Sequence, residues 1–336
     1  MTEVLRVDRL HVDARVGQKW LPVVTDVSFA VRAGEIMGLV GESGSGKTVT
    51  CLSVLGLLPR TDVRVRTGAI WFHDRDLTAI SRRDLEDVRG RSIALIPQEP
   101  SASLNPAFTV GDQMTEILRR HEKLGRAEAR RRAVGLLDEV GIPAAASRLD
   151  DYPHHFSGGM CQRVLIAMAL ACNPEIIIAD EPTTALDVTV QAQILSLIRE
   201  KAAQHHAAVL LVTHDMGVVA EVCDRVVVMY AGQIVESADI VPIFHRPRHP
   251  YTERLLAATP RMVQHGEIDP PAFAYIPGSM PRPGTYATGC RFGPRCAFHE
   301  ERCDAAQVPL RSLPEGNLAR CVRTDELDFA ETRSRA

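Results

Sequence analysis

Short runs of β-branched and apolar residues, set apart by glycine and proline turns, alternate along most of the chain with longer segments of helical periodicity. Leu5 to Val12 and Val23 to Val31 carry the alternating or clustered apolar positions of strands, and Arg32-Ala33-Gly34 turns the chain into a further run, Glu35 to Val40. A helix is predicted from Lys47 to Leu58, stopped by Pro59, and short strands from Gly68 to Phe72 and from Ser92 to Ile96. Between Val110 and Val140 the pattern becomes that of charged helices with solvated faces at Arg126, Arg130, Arg131 and Arg132, bounded by Gly141-Ile142-Pro143. That stretch reads as a helical insert. Alternation then resumes: helix Gly159 to Ala171, strand Glu175 to Ala179, helix Val190 to Gln204, strand Ala208 to Thr213, helix Met216 to Val222, strand Arg225 to Tyr230. Such a series predicts an α/β fold with a mostly parallel sheet covered by helices.

After Pro247 the composition shifts to Pro, Gly, Cys and His, with Pro-rich turns from Pro270 to Pro283 and the last dozen residues polar. We therefore expect two domains, residues 1–248 with a helical insert at about 100–157, and a small Cys/Pro-rich domain at residues 249–336. A chain of 336 residues can bury cores of that size. Its 39 Lys plus Arg against 42 Asp plus Glu leave a net charge of -3, which gives no basic field for nucleic acid. The apolar run Val164 to Cys172 is less than half of the roughly 20 residues a spanning helix needs, and Met1 to Leu10 lacks a signal-peptide core. A cytosolic chain is expected, in which the eight cysteines are not paired as structural disulfides.

The segment Gly41-Glu42-Ser43-Gly44-Ser45-Gly46-Lys47-Thr48 fits G-x-x-x-x-G-K-[ST], between a predicted strand and a predicted helix. Glycines let the backbone wrap close to phosphates, so that N–H groups and the helix start face the negative charge. Lys47 would sit on the β- and γ-phosphates of ATP, and the Thr48 hydroxyl would ligate Mg²⁺. The apolar run Ile176-Ile177-Ile178-Ala179 ends in Asp180-Glu181. There the first carboxylate can hold Mg²⁺ and the second can orient or deprotonate the attacking water. By itself such a strand end is often only a turn into solvent. Ser157-Gly158-Gly159 precedes an apolar helix, where Ser157 can be a plain cap or the glycines can present N–H groups to an anion.

The phosphate loop, Ser157-Gly158-Gly159, Asp180-Glu181, Thr184-Ala185-Leu186-Asp187 and Thr213-His214-Asp215 stand in an order that resembles the ATP-binding-cassette family. The resemblance implies a P-loop nucleotide-binding fold and a head-to-tail dimer, each ATP held between one subunit's phosphate loop and the other's Ser157, Gly158 and Gly159. It also implies that Gln98 touches Mg²⁺ or the attacking water, that His214 contacts the γ-phosphate, and that Asp187 lies at the dimer seam. Singly, Gln98 could be a polar loop residue and His214 a satisfied histidine at a strand end.

Ser103-Leu104-Asn105-Pro106, Met160 after the glycines, His249-Pro250-Tyr251-Thr252 with Leu255-Leu256, and Ile276-Pro277-Gly278 narrow the resemblance. They are similar to the ATP-binding subunits of bacterial dipeptide, oligopeptide and nickel importers. That similarity implies a second ATPase subunit, two membrane permease subunits, an extracytoplasmic peptide-binding protein and a peripheral place on the cytoplasmic face of the inner membrane. It further implies a [4Fe–4S] cluster on Cys290, Cys296, Cys303 and Cys321, spaced C-x5-C-x6-C-x17-C. The spacing alone leaves structural zinc and unligated thiols open. Cys51, Cys172 and Cys223 read as core residues. Three positions depart from the family pattern: Ala14 where an adenine-stacking aromatic is usual, leaving Arg15 or Trp20 to substitute, Cys161 in place of Arg, and Pro97 in place of an aromatic. A soluble ATPase acting on DNA or ribosomes would show a second cassette, a coiled-coil insert or a basic surface. A cassette that binds ATP without cleaving it is opposed by Glu181 and His214.

Overall fold

The computed structural model describes residues 2–184, 186–259, 275–314 and 316–329. Ala185, the part of the Pro-rich stretch at 270–274 and the terminal residues 330–336 lie outside the described residues. The chain forms two compact units, one of residues 2–5, 30–36 and 71–212, the other of residues 6–29, 37–70 and the described residues from 213 onward.

In the first unit, strands Ile93–Ile96, Ile176–Asp180 and Ala208–Thr213 run parallel side by side, with Ile93 opposite Ile176 and Ile176 opposite Ala208. All five residues of Ile176–Asp180 are buried, the continuous apolar run expected of a strand covered on both faces. The predicted insert is the helix pair Val110–His121 and Arg126–Glu139. Thr109 caps the first by accepting from Asp112 N–H at 3.0 Å, and its hydroxyl donates back to the Asp112 carboxylate at 2.8 Å. Helices Gly158–Leu170 and Val188–His205 follow, the second capped by Asp187, which accepts from Val190 N–H at 3.0 Å.

In the second unit, Ile36–Val40 pairs in parallel with Arg225–Tyr230, Met37 opposite Arg225. Arg225–Tyr230 in turn pairs antiparallel with Gln233–Asp239, and Leu318–Ala319 and Arg311–Ser312 extend that edge. The strands Glu3–Val16 and Lys19–Arg32 outrun their predicted bounds and lie with Val63–Phe72 in a separate sheet.

Two differences from the expected elements have local causes. The helix after the glycine loop ends at Val54, because Gly56 takes φ +58° and the chain closes with Gly56 N–H on Ser53 O and Leu57 N–H on Leu52 O. Strand Gln233–Asp239 was not predicted, since Gln233 and Glu236 break its apolar run although both side chains are buried. The helix Ile240–His245 after it, like Arg82–Val88, was also not anticipated.

Candidate functional site

In the second unit the strand Ile36–Val40 delivers the chain into the glycine loop, and Gly46, at φ +105°, begins helix Lys47–Val54. Gly41 passes so close to the neighbouring strand that a Cβ there would stand 2.2 Å from the Met229 carbonyl oxygen. Gly44 has φ +80°. These backbone angles and approaches need residues without a Cβ. The N–H groups of Ser43, Gly44 and Gly46 donate to no acceptor among the described residues. Ser45 Oγ is buried without a hydrogen-bond partner among the described residues. A loop with spare donors at a helix start suits an anion of several oxygens. Lys47 is 5% exposed, and its ammonium donates to the carbonyls of Gly41 at 2.7 Å and Glu42 at 3.1 Å. Thr48, the next residue, is exposed.

The first unit carries the carboxylates. Asp180 closes strand Ile176–Asp180 and is 5% exposed. Glu181 follows at φ +46°, a left-handed conformation that costs a residue with a Cβ and that its N–H bond to Val212 O at 2.9 Å holds in place. One oxygen of its carboxylate, Oε2, accepts from Gln98 Nε2 at 3.0 Å and from the Thr184 hydroxyl at 3.0 Å. Two separately predicted residues, Gln98 and Glu181, are thus in contact. A carboxylate fixed in orientation by two donors can accept a proton from a water or orient it.

Ser157 caps helix Gly158–Leu170 through Met160 N–H at 3.3 Å, as the plain cap reading required. A Cβ on Gly158 would make an ordinary contact with Leu186 Cδ2 at 3.8 Å, whereas one on Gly159 would meet Val190 Cγ1 at 2.9 Å. His214, in the second unit, is exposed, between Thr213, whose hydroxyl accepts from Asp215 N–H at 3.0 Å, and Asp215, which caps helix Met216–Val222. At the departures from the family pattern, Ala14 is half-buried, Arg15 Nε donates to Gly17 O at 3.2 Å, and Trp20 has the Arg64 guanidinium 4.3 Å over its ring. Cys161 is buried and its thiol donates to Pro153 O at 3.6 Å. Pro97 is half-buried.

The cysteine expectation requires correction. Cys290, Cys296, Cys303 and Cys321 line one small apolar pocket with Phe292 and Phe298 and form no disulfide. Among the described residues, however, no group of three or more His, Cys, Asp or Glu is placed to hold a metal ion, so the predicted [4Fe–4S] cluster is not supported. Burial pushes the thiols of Cys290, Cys296 and Cys321 up to about 11.

The segment His249-Pro250-Tyr251-Thr252 carries the family resemblance with no role attached to it. Here His249 Nδ1 accepts from Tyr251 N–H at 3.0 Å and Pro250 occupies the first turn of helix Pro250–Ala257, so the first two residues form a helix start. The Tyr251 hydroxyl accepts from the N–H of Glu42 at 2.8 Å. Arg295 forms an ion pair with the Glu42 side chain, at 2.7 Å and 3.0 Å. No local spacing joins positions so distant in the chain, and the only sequence signal for the tyrosine was the motif itself.

Residues 24–184 match the family described as ABC transporter, and residues 235–303 match the oligopeptide/dipeptide transporter C-terminal region. The oligopeptide transport ATP-binding protein AppD of Bacillus subtilis is 45% identical over 326 residues, covering 97% of this chain and 98% of the relative. The dipeptide transport ATP-binding protein DppD of Escherichia coli is 45% identical over 320 residues, 95% and 96% of the two chains. A putative peptide import ATP-binding protein of Brucella abortus is 48% identical over 318 residues, 95% and 94%. Among solved structures, the dimeric bacterial ABC transporter cassette MJ0796 superimposes with a TM-score of 0.63 at 25% identity, over 70% of this chain and 98% of that one. The CbiO1 protein of Clostridium perfringens gives 0.62 at 25% identity, over 73% and 91%.

Proposed function

This chain belongs to the ABC transporter family of ATP-binding subunits, and we propose that it is the ATP-hydrolysing motor of a peptide importer. The observation that carries the reading is the glycine loop, where the Ser43, Gly44 and Gly46 N–H groups have no acceptor among the described residues and Lys47 adds a buried charge. Fixed donors of this kind stabilise the charge that builds on a transferring phosphoryl group. The match of residues 235–303 to the peptide-transporter C-terminal region supports peptides as cargo.

Within that reading Gly41, Ser43, Gly44, Ser45, Gly46, Lys47 and Thr48 cradle the phosphates. Glu181 takes a proton from, or orients, the attacking water, Gln98 positions that carboxylate, and His214 contacts the γ-phosphate. The Gln98 bond and the positive φ of Glu181 support the first two roles. Thr48, Gln98 and Asp180 supply a hydroxyl, an amide and a carboxylate, the oxygen donors Mg²⁺ prefers. Bound there, Mg²⁺ would neutralise charge on the phosphate oxygens. Ser157, Gly158 and Gly159 would meet the ATP of a facing subunit, for which the exposure of Ser157 and Gly158 leaves room. That subunit is a homologous sister chain in our reading. The assembly further includes two membrane permeases and an extracytoplasmic peptide-binding protein, with residues 1–248 as the nucleotide-binding domain and residues 249–336 as a C-terminal domain. A peripheral place at the cytoplasmic face of the membrane agrees with the described helices, none of which is long and apolar enough to cross a bilayer.

The test is Glu181→Gln, which keeps size and hydrogen bonding and removes the base. ATP binding is expected to persist while turnover falls by about 10²-fold or more. An unchanged turnover removes Glu181 from its role.

A further inference from the structure

Glu42 stands at an unspecified position of the phosphate-loop pattern, yet each of its polar groups is engaged. Its N–H donates to the Tyr251 hydroxyl at 2.8 Å, and its carbonyl accepts from Ser45 N–H at 3.1 Å and from Lys47 Nζ at 3.1 Å. The carboxylate takes both ends of the Arg295 fork, Nη1 at 2.7 Å and Nη2 at 3.0 Å. The two partners come from the segment beyond residue 248, and each is itself braced. Arg295 also donates to the carbonyls of Pro277 at 2.7 Å and Ile276 at 3.2 Å, and its side chain is 6% exposed. The fully buried Tyr251 ring packs against Tyr230 at 4.7 Å and Phe292 at 5.3 Å between centroids. The loop that carries the spare donors is therefore held at its second residue from two directions.

We propose that Tyr251 and Arg295 are positioning residues of the ATP site, acting through Glu42 to fix the phosphate loop and to neutralise the one carboxylate built into it. The inference rests on the reading of that loop as the ATP site. Two physical effects support it. A bidentate guanidinium–carboxylate pair fixes orientation as well as distance, so the loop's backbone is held in one geometry before nucleotide arrives. An unneutralised carboxylate in a loop that must receive a polyanion would oppose binding through like charge. Arg295 removes that opposition, and the tyrosine hydroxyl satisfies a donor that would otherwise be left free at the loop's start.

The experiment measures the dissociation constant of MgATP with the full-length chain, alongside thermal unfolding, for wild type, Lys47→Ala, Tyr251→Phe, Arg295→Gln and the pair Glu42→Gln with Arg295→Gln. Arg295→Gln is expected to weaken MgATP about tenfold or more and Tyr251→Phe about threefold or more. Removing the carboxylate in the double variant is expected to recover the part of that loss due to like charge and to leave the part due to the lost bidentate grip. An Arg295→Gln variant that binds MgATP as tightly as wild type overturns the proposal. If Arg295→Gln does not fold, Tyr251→Phe decides, and an affinity equal to wild type overturns the proposal. Wild-type binding that survives in Lys47→Ala would instead overturn the reading of the loop itself, which separates the two failures.

Discussion

Gly41 and Glu181 both sit where side-chain freedom has been given up, for opposite reasons. At Gly41 a Cβ would lie 2.2 Å from the Met229 carbonyl oxygen, so Gly41→Ala must move one strand or the other. A loss of about 2 kcal/mol of stability is expected in denaturant titration, together with weaker ATP binding. Glu181 keeps a side chain at φ +46°, and that side chain is held by Gln98 and Thr184. His249 supplies a second expectation. Burial drives its pKa down to about 3, so the folded chain refuses a proton that the unfolded chain binds below about pH 6.5. Its contribution to stability is complete above about pH 6.5 and is lost as pH falls towards 3. Glu236, whose buried carboxyl is pushed up to about 7, gives the opposite slope between about pH 4.5 and 7. His249→Asn keeps a cap acceptor and removes only the first effect. The stability difference between variant and wild type should therefore shift in the variant's favour by about 2 kcal/mol between pH 7.5 and pH 5, and a constant difference would contradict this account.

At the scale of elements, the caps show how a polar residue sets a boundary. Thr109→Ala removes the acceptor for Asp112 N–H and should cost about 1 kcal/mol, read as a lower thermal midpoint and faster hydrogen exchange at the first turn of helix Val110–His121. The parallel strands Ile176–Asp180 and Ala208–Thr213 and the helix Met216–Val222 were legible from apolar runs and turn residues alone. Strand Gln233–Asp239 was not, because its buried Glu236 is stabilised by the N–H groups of Arg248 at 2.7 Å and His249 at 2.9 Å, partners a dozen residues away that no periodicity reveals. The site divides in the same way. Gln98 and Glu181 were each legible from motif order, whereas their contact and the grip on Glu42 depend on tertiary packing. The cysteine spacing was legible too, but spacing could not show that the thiols fail to form a metal-holding group.

For the whole molecule, the segment after residue 248 is woven into the unit that contains the glycine loop, through Arg320 donating to Ile234 O at 2.8 Å and the pairing of Glu236 with Ala319 as well as through Tyr251 and Arg295. A match of the ABC transporter family to residues 24–184 and of the peptide-transporter C-terminal region to residues 235–303 thus describes segments that meet at one loop. The central claim is that ATP cleavage at that loop drives peptide uptake. The most direct measurement is accumulation of a radiolabelled peptide in vesicles reconstituted with the native complex, supplied with MgATP on the side of this subunit, for wild type and Lys47→Ala. Wild type should accumulate peptide only with ATP, and Lys47→Ala should abolish accumulation while the complex still assembles. Uptake that proceeds without ATP, or at full rate with Lys47→Ala, would contradict the account.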